Sequence, residues 1–232
     1  RLFISGSAPL LAETHADFES RTGRRILERY GMTETGMIAS NPYEGERLAG
    51  TVGYALPGVS VRIADGDGRE VPRGEIGVIE VKGPNVFTGY WRMPEKTAEE
   101  FRADASFITG DVATMAEDGR ITIVGRAKDV IITGGFNVYP KEIEEELDAL
   151  PEIIESAVVG IAHPDFGEGV VAVVTAKAPV DEKAIIATLS ARLARFKCPK
   201  RVITVSALPR NAMGKVQKAE LRKTYADLFR PA

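Results

Sequence analysis

Tyr30-Gly31-Met32-Thr33-Glu34 places an aromatic face, a permissive glycine, a hydroxyl and a carboxylate within five residues. Tyrosine can stack on a planar base, threonine can donate to a phosphate oxygen, and glutamate can hold a hard divalent cation. The same stretch also reads as an ordinary capped helix start. Thr109-Gly110-Asp111 puts a carboxylate after a turn, where it can accept from a sugar diol, although aspartate is itself a turn former. Arg126 offers a rigid fork of five donors for hydroxyls or phosphate. Ser5-Gly6-Ser7-Ala8-Pro9 is a small-residue turn where backbone can approach a ligand closely. Pro209-Arg210-Asn211-Ala212-Met213-Gly214-Lys215 ends a turn-rich loop in an ammonium, and its glycine lets that charge enter a crowded site. Taken singly, each of these also has a purely structural reading.

Other chemistries are disfavoured by the same inspection. Val216 follows Lys215 and no glycine stands five positions before Gly214, so G-x-x-x-x-G-K-[ST] is not matched. Gly167-Glu168-Gly169 is too short for a dinucleotide fingerprint. His15 and His163 lack a serine, cysteine or carboxylate constellation at recognisable spacing, and His163-Pro164-Asp165 reads as a turn. One cysteine, Cys198, excludes an intramolecular disulfide framework, and with two histidines it leaves little for an ordinary zinc site. The composition suits a reducing cytosol.

The elements that must position these residues change character along the chain. Arg1–Ser5 predicts a strand, Glu13–Thr22 a helix ended by Gly23, and Arg25–Tyr30 a short strand followed by a Gly31–Gly36 loop. Between Thr51 and Gly83 short strands at 59–63 and 77–81 flank an Asp65–Gly68 turn, suggesting a small sheet or barrel. Pro94 opens a short helix over 95–101, and Asp118-Gly119 is a hairpin turn into a strand at 121–124. Past Gly125–Asp129 the pattern becomes mixed. Val130–Ile132 is an apolar strand before Gly134-Gly135. Pro140 starts a helix carrying Ile143, Leu147 and Leu150, and strands follow at 156–161 and 170–176. A helix capped by Asp181 carries Ile185, Leu189, Leu193 and Phe196 on one stripe; then come a strand at 202–205 and a helix at 219–229.

The 232 residues, 44% apolar and 27% charged, form an ordinary globular sequence with ample volume for a core. No uncharged apolar run approaches the roughly 20 residues of a membrane span; the longest, Gly169–Ala176, reads as a buried strand. The net charge of −3 divides unevenly. From Lys197 onward nine Lys/Arg face Glu220 and Asp227, a net of +7, against −10 for the remainder. Such a tail either meets an anionic partner or is a solvated face. Nucleic acid is the weaker guess, because no binding signature accompanies the charge. The expected fold is mixed α/β: residues 1–127 with a β-rich part, then a compact α/β domain over 128–232, the boundary lying near Lys128. Without initiator methionine or signal peptide, the chain reads as a piece of a longer protein.

In order, SGSAP, YGMTE, TGD, GRAKDVIITGGFNVYPKEIE and PRNAMGK make the chain resemble the acyl-adenylate-forming superfamily of acyl-CoA synthetases, luciferases and peptide-synthetase adenylation domains. The resemblance covers essentially the whole chain. ERYGMTE, NPYEGERLAGTVG, KGPNVFTGYWRMPEKT and HPDFGEGV are most similar to the malonate-activating branch. It implies that residues 1–127 are the end of the large adenylate-forming domain and that 128–232 are the small mobile domain, hinged at Lys128.

The resemblance also implies roles. Ser7, Ala8 and Pro9, with Glu28, Arg29 and Tyr30, would form the adenine bed. Thr33 would touch phosphate, and Glu34 would hold Mg²⁺. Asp111 and Arg126 would grip the ribose, and Lys215 would reach the substrate carboxylate and α-phosphate of ATP. Ser5, Gly6, Gly31 and Met32 would line the acyl pocket, and Gly134-Gly135 would face the pantetheine arm of coenzyme A. The basic tail would help attract its phosphates. The expected reaction is ATP-dependent acyl-CoA synthesis through acyl-AMP, with malonate as the acid; its second carboxylate needs a fixed cation such as an arginine, which the sequence does not identify. Other acids (methylmalonate, medium-chain or aryl) and a non-catalytic nucleotide-binding module are the alternatives. The superfamily's Ser/Thr/Gly-rich phosphate loop precedes SGSAP and is not in these 232 residues, so the chain alone is expected to be inactive. A lysine acetyltransferase acting on Lys215 would erase its charge. Membrane and nucleic-acid partners are not expected.

Overall fold

Two patterns of hydrophobic residues give two bodies. In the computed structural model, which describes residues 1–6, 10, 12–212 and 214–230, the chain divides into Arg1–Ala127 (unit 1) and Lys128–Ala232 (unit 2). The fold is mixed α/β, with three sheets among the described residues. No helix among them is long and apolar enough to cross a membrane.

Unit 1 opens with a parallel crossover: β1 (Ile4–Ser5), α1 (Ala12–Thr22) and β2 (Leu27–Met32), with Ile4 paired to Leu27 and Ser5 to Glu28. Gly23, at φ +63°, ends α1 by donating its N–H to the Glu19 carbonyl. Strands β3 (Gly36–Ser40) and β4 (Tyr54–Ala55) complete an antiparallel extension. The expected loop at 31–36 is therefore mostly hairpin, and only Thr33–Thr35 turn. Gly31 allows this, because a Cβ there would lie 2.1 Å from the Gly36 carbonyl oxygen.

The second sheet is an antiparallel meander of β5 (Ser60–Ala64), β6 (Gly77–Lys82), β7 (Phe107–Met115) and β8 (Ile121–Arg126). Helix α2 (Pro94–Glu99) lies between β6 and β7 in sequence and carries Pro94 in its first turn. It stops before the expected Phe101, whose ring joins Phe87 and Phe107 in an aromatic cluster. Buried Ile38 and Ala39 from the first sheet share a core with Ile63, Ile79, Val81, Ala113 and Ile121 from the meander. Thr109-Gly110-Asp111, expected as a turn, runs inside β7. Local hydrogen bonds make this polar run compatible with a buried strand. The Thr109 hydroxyl donates to the Ile79 carbonyl at 2.9 Å and accepts the Asp111 N–H at 3.1 Å, while Gly110 takes φ +70°.

Unit 2 is a sheet with helices on both faces. In chain order it runs β9 (Ile131–Thr133), β10 (Phe136–Val138), α3 (Pro140–Asp148), β11 (Ile153–His163), β12 (Gly167–Ala176), α4 (Glu182–Ser190), β13 (Arg201–Thr204) and α5 (Lys218–Thr224). Alternation along β12 explains its apolar run. Val170, Ala172 and Val174 face Ile143, Leu147, Ile185 and Leu189 of α3 and α4. Val171 and Val173 face Leu208 and Leu221 of the other layer. A strand covered on both sides has no polar face. Asp181 caps α4 by accepting the Lys183 N–H. That helix ends at Ser190, so Leu193 and Phe196 reach the same core from the turns beyond it.

Candidate active site

In unit 1, β7 and β8 present Asp111 and Arg126 as cross-strand partners. Asp111 is 4% exposed, and its carboxylate accepts from Arg126 Nε at 2.7 Å and from the Tyr30 hydroxyl. Burial, and then the charge of Asp111, push the Tyr30 hydroxyl well above its ordinary range, so it stays a donor. Arg126 keeps 46% of its side chain exposed and retains donors for an incoming hydroxyl or phosphate. The constellation thus joins a planar ring, a fixed carboxylate and an open guanidinium.

The β2–β3 turn sets Thr33 exposed at its tip and Glu34 half-buried behind it. The Tyr90 hydroxyl donates to Glu34 Oε1 at 3.2 Å, and the Phe87 N–H donates to the Glu34 carbonyl at 2.8 Å. Among the described residues no group of three His, Cys, Asp or Glu is set to hold a metal. A lone carboxylate beside a hydroxyl nevertheless suits Mg²⁺, which keeps waters and takes further oxygens from substrate phosphates. It does not suit a dedicated protein cage.

The other expected site residues fall in several places. Glu28 is buried on β2, where Oε1 accepts the Gly50 N–H at 3.0 Å and fixes the loop before β4. Arg29 is exposed; a Cβ on Gly6 would lie 3.3 Å from its Cγ. Ser5 ends β1, and Gly31 and Met32 end β2. Ser7, Ala8 and Pro9 lie outside the described residues. His15 is buried, with Nε2 at 3.2 Å from the Ile26 carbonyl, and Cys198 of unit 2 is also buried.

Unit 2 carries the remaining groups. Arg210 and Val216 bridge across a tight loop in which the Lys215 N–H donates to Asn211 Oδ1 at 3.0 Å. Gly214 serves this loop through its φ of +78°, since a Cβ there would meet nothing within 4 Å. The Lys215 side chain is exposed, and its ammonium has no ion pair among the described residues. Met213 of the same loop is outside those residues. Gly134 and Gly135, at φ +57° and +82°, form the two-residue turn of the β9–β10 hairpin, a geometry L side chains resist. Beside it stand Phe136, Ile132 and Phe166, all exposed, with the Lys200 ammonium 4.3 Å from the Phe166 ring centre. Lys128 is exposed on a short turn, Ala127–Asp129, and Asp129 pairs with Arg222 at 2.7 Å.

Sequence reasoning did not single out Tyr90, Phe87 or Lys200. Phe87 and Tyr90 lie within the KGPNVFTGYWRMPEKT motif and Lys200 within the basic tail, but neither signal gave them individual roles.

Two family descriptions match the chain: AMP-binding enzyme over residues 1–91 and AMP-binding enzyme C-terminal domain over 142–215. The malonate–CoA ligase of Arabidopsis thaliana is 42% identical over 97% of this chain and 38% of its own length. The long-chain-fatty-acid–CoA ligase of Yersinia pestis is 38% identical over 96% of this chain and 40% of its own. ATP-bound MatB from Rhodopseudomonas palustris has a similar structure, with a TM-score of 0.97 and 61% identity over 99% of this chain and 46% of that one. The chain thus spans about two-fifths of the length of these curated relatives.

Proposed function

Because this chain belongs to the AMP-binding enzyme family, we propose that the whole protein is an ATP-dependent acid–thiol ligase that converts malonate to malonyl-CoA. The observation that carries the reading is Asp111, held in a buried position between the Tyr30 hydroxyl and Arg126. That arrangement offers one planar face for adenine and paired polar groups for the ribose hydroxyls. The malonate assignment is supported by the identity to a malonate–CoA ligase.

In the first half-reaction a carboxylate oxygen of the acid attacks the α-phosphorus of ATP. The bond to the bridging oxygen breaks, and pyrophosphate leaves acyl-AMP behind. Negative charge gathers on the α-phosphate oxygens, where the Lys215 ammonium stabilises it. Thr33 donates to a phosphate oxygen, while Tyr30, Asp111 and Arg126 keep the nucleoside in register. Glu34 would hold Mg²⁺, which supplies charge neutralisation to the phosphates when bound. In the second half-reaction the CoA sulfur, having lost its proton, attacks the acyl carbon and AMP departs. Withdrawal of the Lys215 loop about Lys128 would give the thiol access, with the Gly134-Gly135 turn facing the pantetheine arm. The adjacent Phe166 face and Lys200 ammonium suit a planar base and phosphates. The phosphate loop expected upstream of SGSAP is required, so these 232 residues alone are inactive in this scheme.

Pyrophosphate exchange by the full-length protein, run with malonate, methylmalonate, a medium-chain acid and an aryl acid, tests the reading. Malonate should give the largest kcat/KM. A different preferred acid would overturn the substrate, and exchange with no carboxylate would overturn the ligase.

A further inference from the structure

The KGPNVFTGYWRMPEKT segment has only a minor place in the scheme above, yet it grips the turn that carries Thr33 and Glu34. Asn85 Nδ2 donates to the Thr35 carbonyl at 2.8 Å and to the Met37 carbonyl at 3.3 Å. The Phe87 N–H donates to the Glu34 carbonyl, and Tyr90 then closes on the Glu34 side chain. Tyr90 is held in turn. Its N–H donates to Thr97 Oγ1 at 2.9 Å, the Thr97 hydroxyl donates to the Met93 carbonyl at 2.9 Å, and the Phe87 ring meets it edge-on at 4.9 Å. Gly89 permits this closure, because a Cβ there would come within 2.6 Å of Thr97 Cγ2.

A glutamate at the edge of a hairpin turn has three side-chain torsions to fix before it is useful, and each freely rotating bond costs entropy. A phenol anchored from α2 removes part of that cost in advance. We propose that Tyr90 is a positioning residue for Glu34: with its backbone N–H held by Thr97 and its ring packed edge-on by Phe87, its hydroxyl orients the carboxylate so that the other oxygen faces the cation and phosphates. This rests on the reading of Glu34 as the cation-holding residue. The 3.2 Å contact is long for an O–H···O bond, so a shift of a few tenths of an ångström decides its strength.

The test uses the full-length protein and two readouts. One is Mn²⁺ bound with a non-hydrolysable ATP analogue, followed by electron paramagnetic resonance. The other is the Mg²⁺ concentration at half-maximal pyrophosphate exchange. Tyr90→Phe keeps the ring and should weaken both about tenfold, the loss expected for one hydrogen bond to a charged group, while KM for the acid stays unchanged. Thr97→Val should shift both the same way, and Thr97→Ser should restore them. A general loss of structure would not give that selective pattern. Normal metal dependence in Tyr90→Phe beside a weakened Glu34→Gln overturns the proposal and leaves the Glu34 reading standing. Normal dependence in Glu34→Gln overturns that reading and the proposal with it. Should Tyr90→Phe not fold, the threonine pair decides, and equal metal binding by Val and Ser overturns the proposal.

Discussion

Asp111 is the residue on which the nucleotide reading turns, and its surroundings make it sensitive to small changes. It is nearly enclosed, and its carboxylate accepts from the open Arg126 guanidinium and the Tyr30 phenol. Tyr30→Phe removes the phenol's donor while keeping the ring. A buried acceptor that loses a partner costs about 1–3 kcal/mol. Urea unfolding of unit 1 should therefore show a loss of that size, and a wild-type midpoint would contradict the role of the bond. The residue types at 30, 111 and 126 were legible as base-stacking, diol-binding and anion-binding groups. The resemblance gathers them around one nucleotide, but the direct bond from Tyr30 to Asp111 was not legible, because 81 positions separate the two and no local spacing rule connects them. Tyr90 was hidden for the same reason, lying 56 positions from Glu34.

Elements with local signals were the easiest to read. Pro140 and Asp181 marked the starts of α3 and α4, and the apolar run marked β12, because each signal acts within a few residues. β7 was concealed because Thr109, Gly110 and Asp111 are turn formers until Ile79, Tyr30 and Arg126 satisfy them. The Leu193 and Phe196 stripe misled in the opposite way: the apolar period continued after the helix had stopped. At the end of α3 lies a local conflict with a measurable consequence. Burial pushes the Asp148 carboxyl up from an ordinary 3.8 to about 6, aided by the charges of Glu144 and Glu155. Its Oδ1 is buried and has no hydrogen-bond partner among the described residues, and a helix C-terminus adds negative potential. The folded state thus binds this proton more tightly than the unfolded chain, so stability falls as pH rises from about 4 to about 6. Asp148→Asn should stabilise by about 1–3 kcal/mol above pH 6, with the gain fading toward pH 4. Thermal unfolding across that range checks it; a gain independent of pH would contradict the assignment.

At the scale of the whole molecule, the groups of the proposed reaction are divided between two bodies. Tyr30, Thr33, Glu34, Asp111 and Arg126 belong to unit 1, whereas Lys215 and the Gly134-Gly135 turn belong to unit 2. The Lys215 loop leads directly into α5, and Arg222 of α5 is tied to Asp129, next to Lys128. A pivot at Lys128 would consequently carry Lys215 with it rather than leave it behind. The division makes a sharp distinction between the two half-reactions. The ammonium should matter when charge builds on the α-phosphate and should be dispensable when the thiol attacks an acyl-adenylate already made. Comparing Lys215→Ala with wild type in the full-length protein measures this. Pyrophosphate exchange should fall by about 100- to 1,000-fold, as for loss of a preorganised charge stabiliser, while thioester formation from supplied malonyl-AMP changes little. Equal losses in the two half-reactions, or undiminished exchange, would contradict the central claim that a lysine borne by the smaller unit stabilises acid activation.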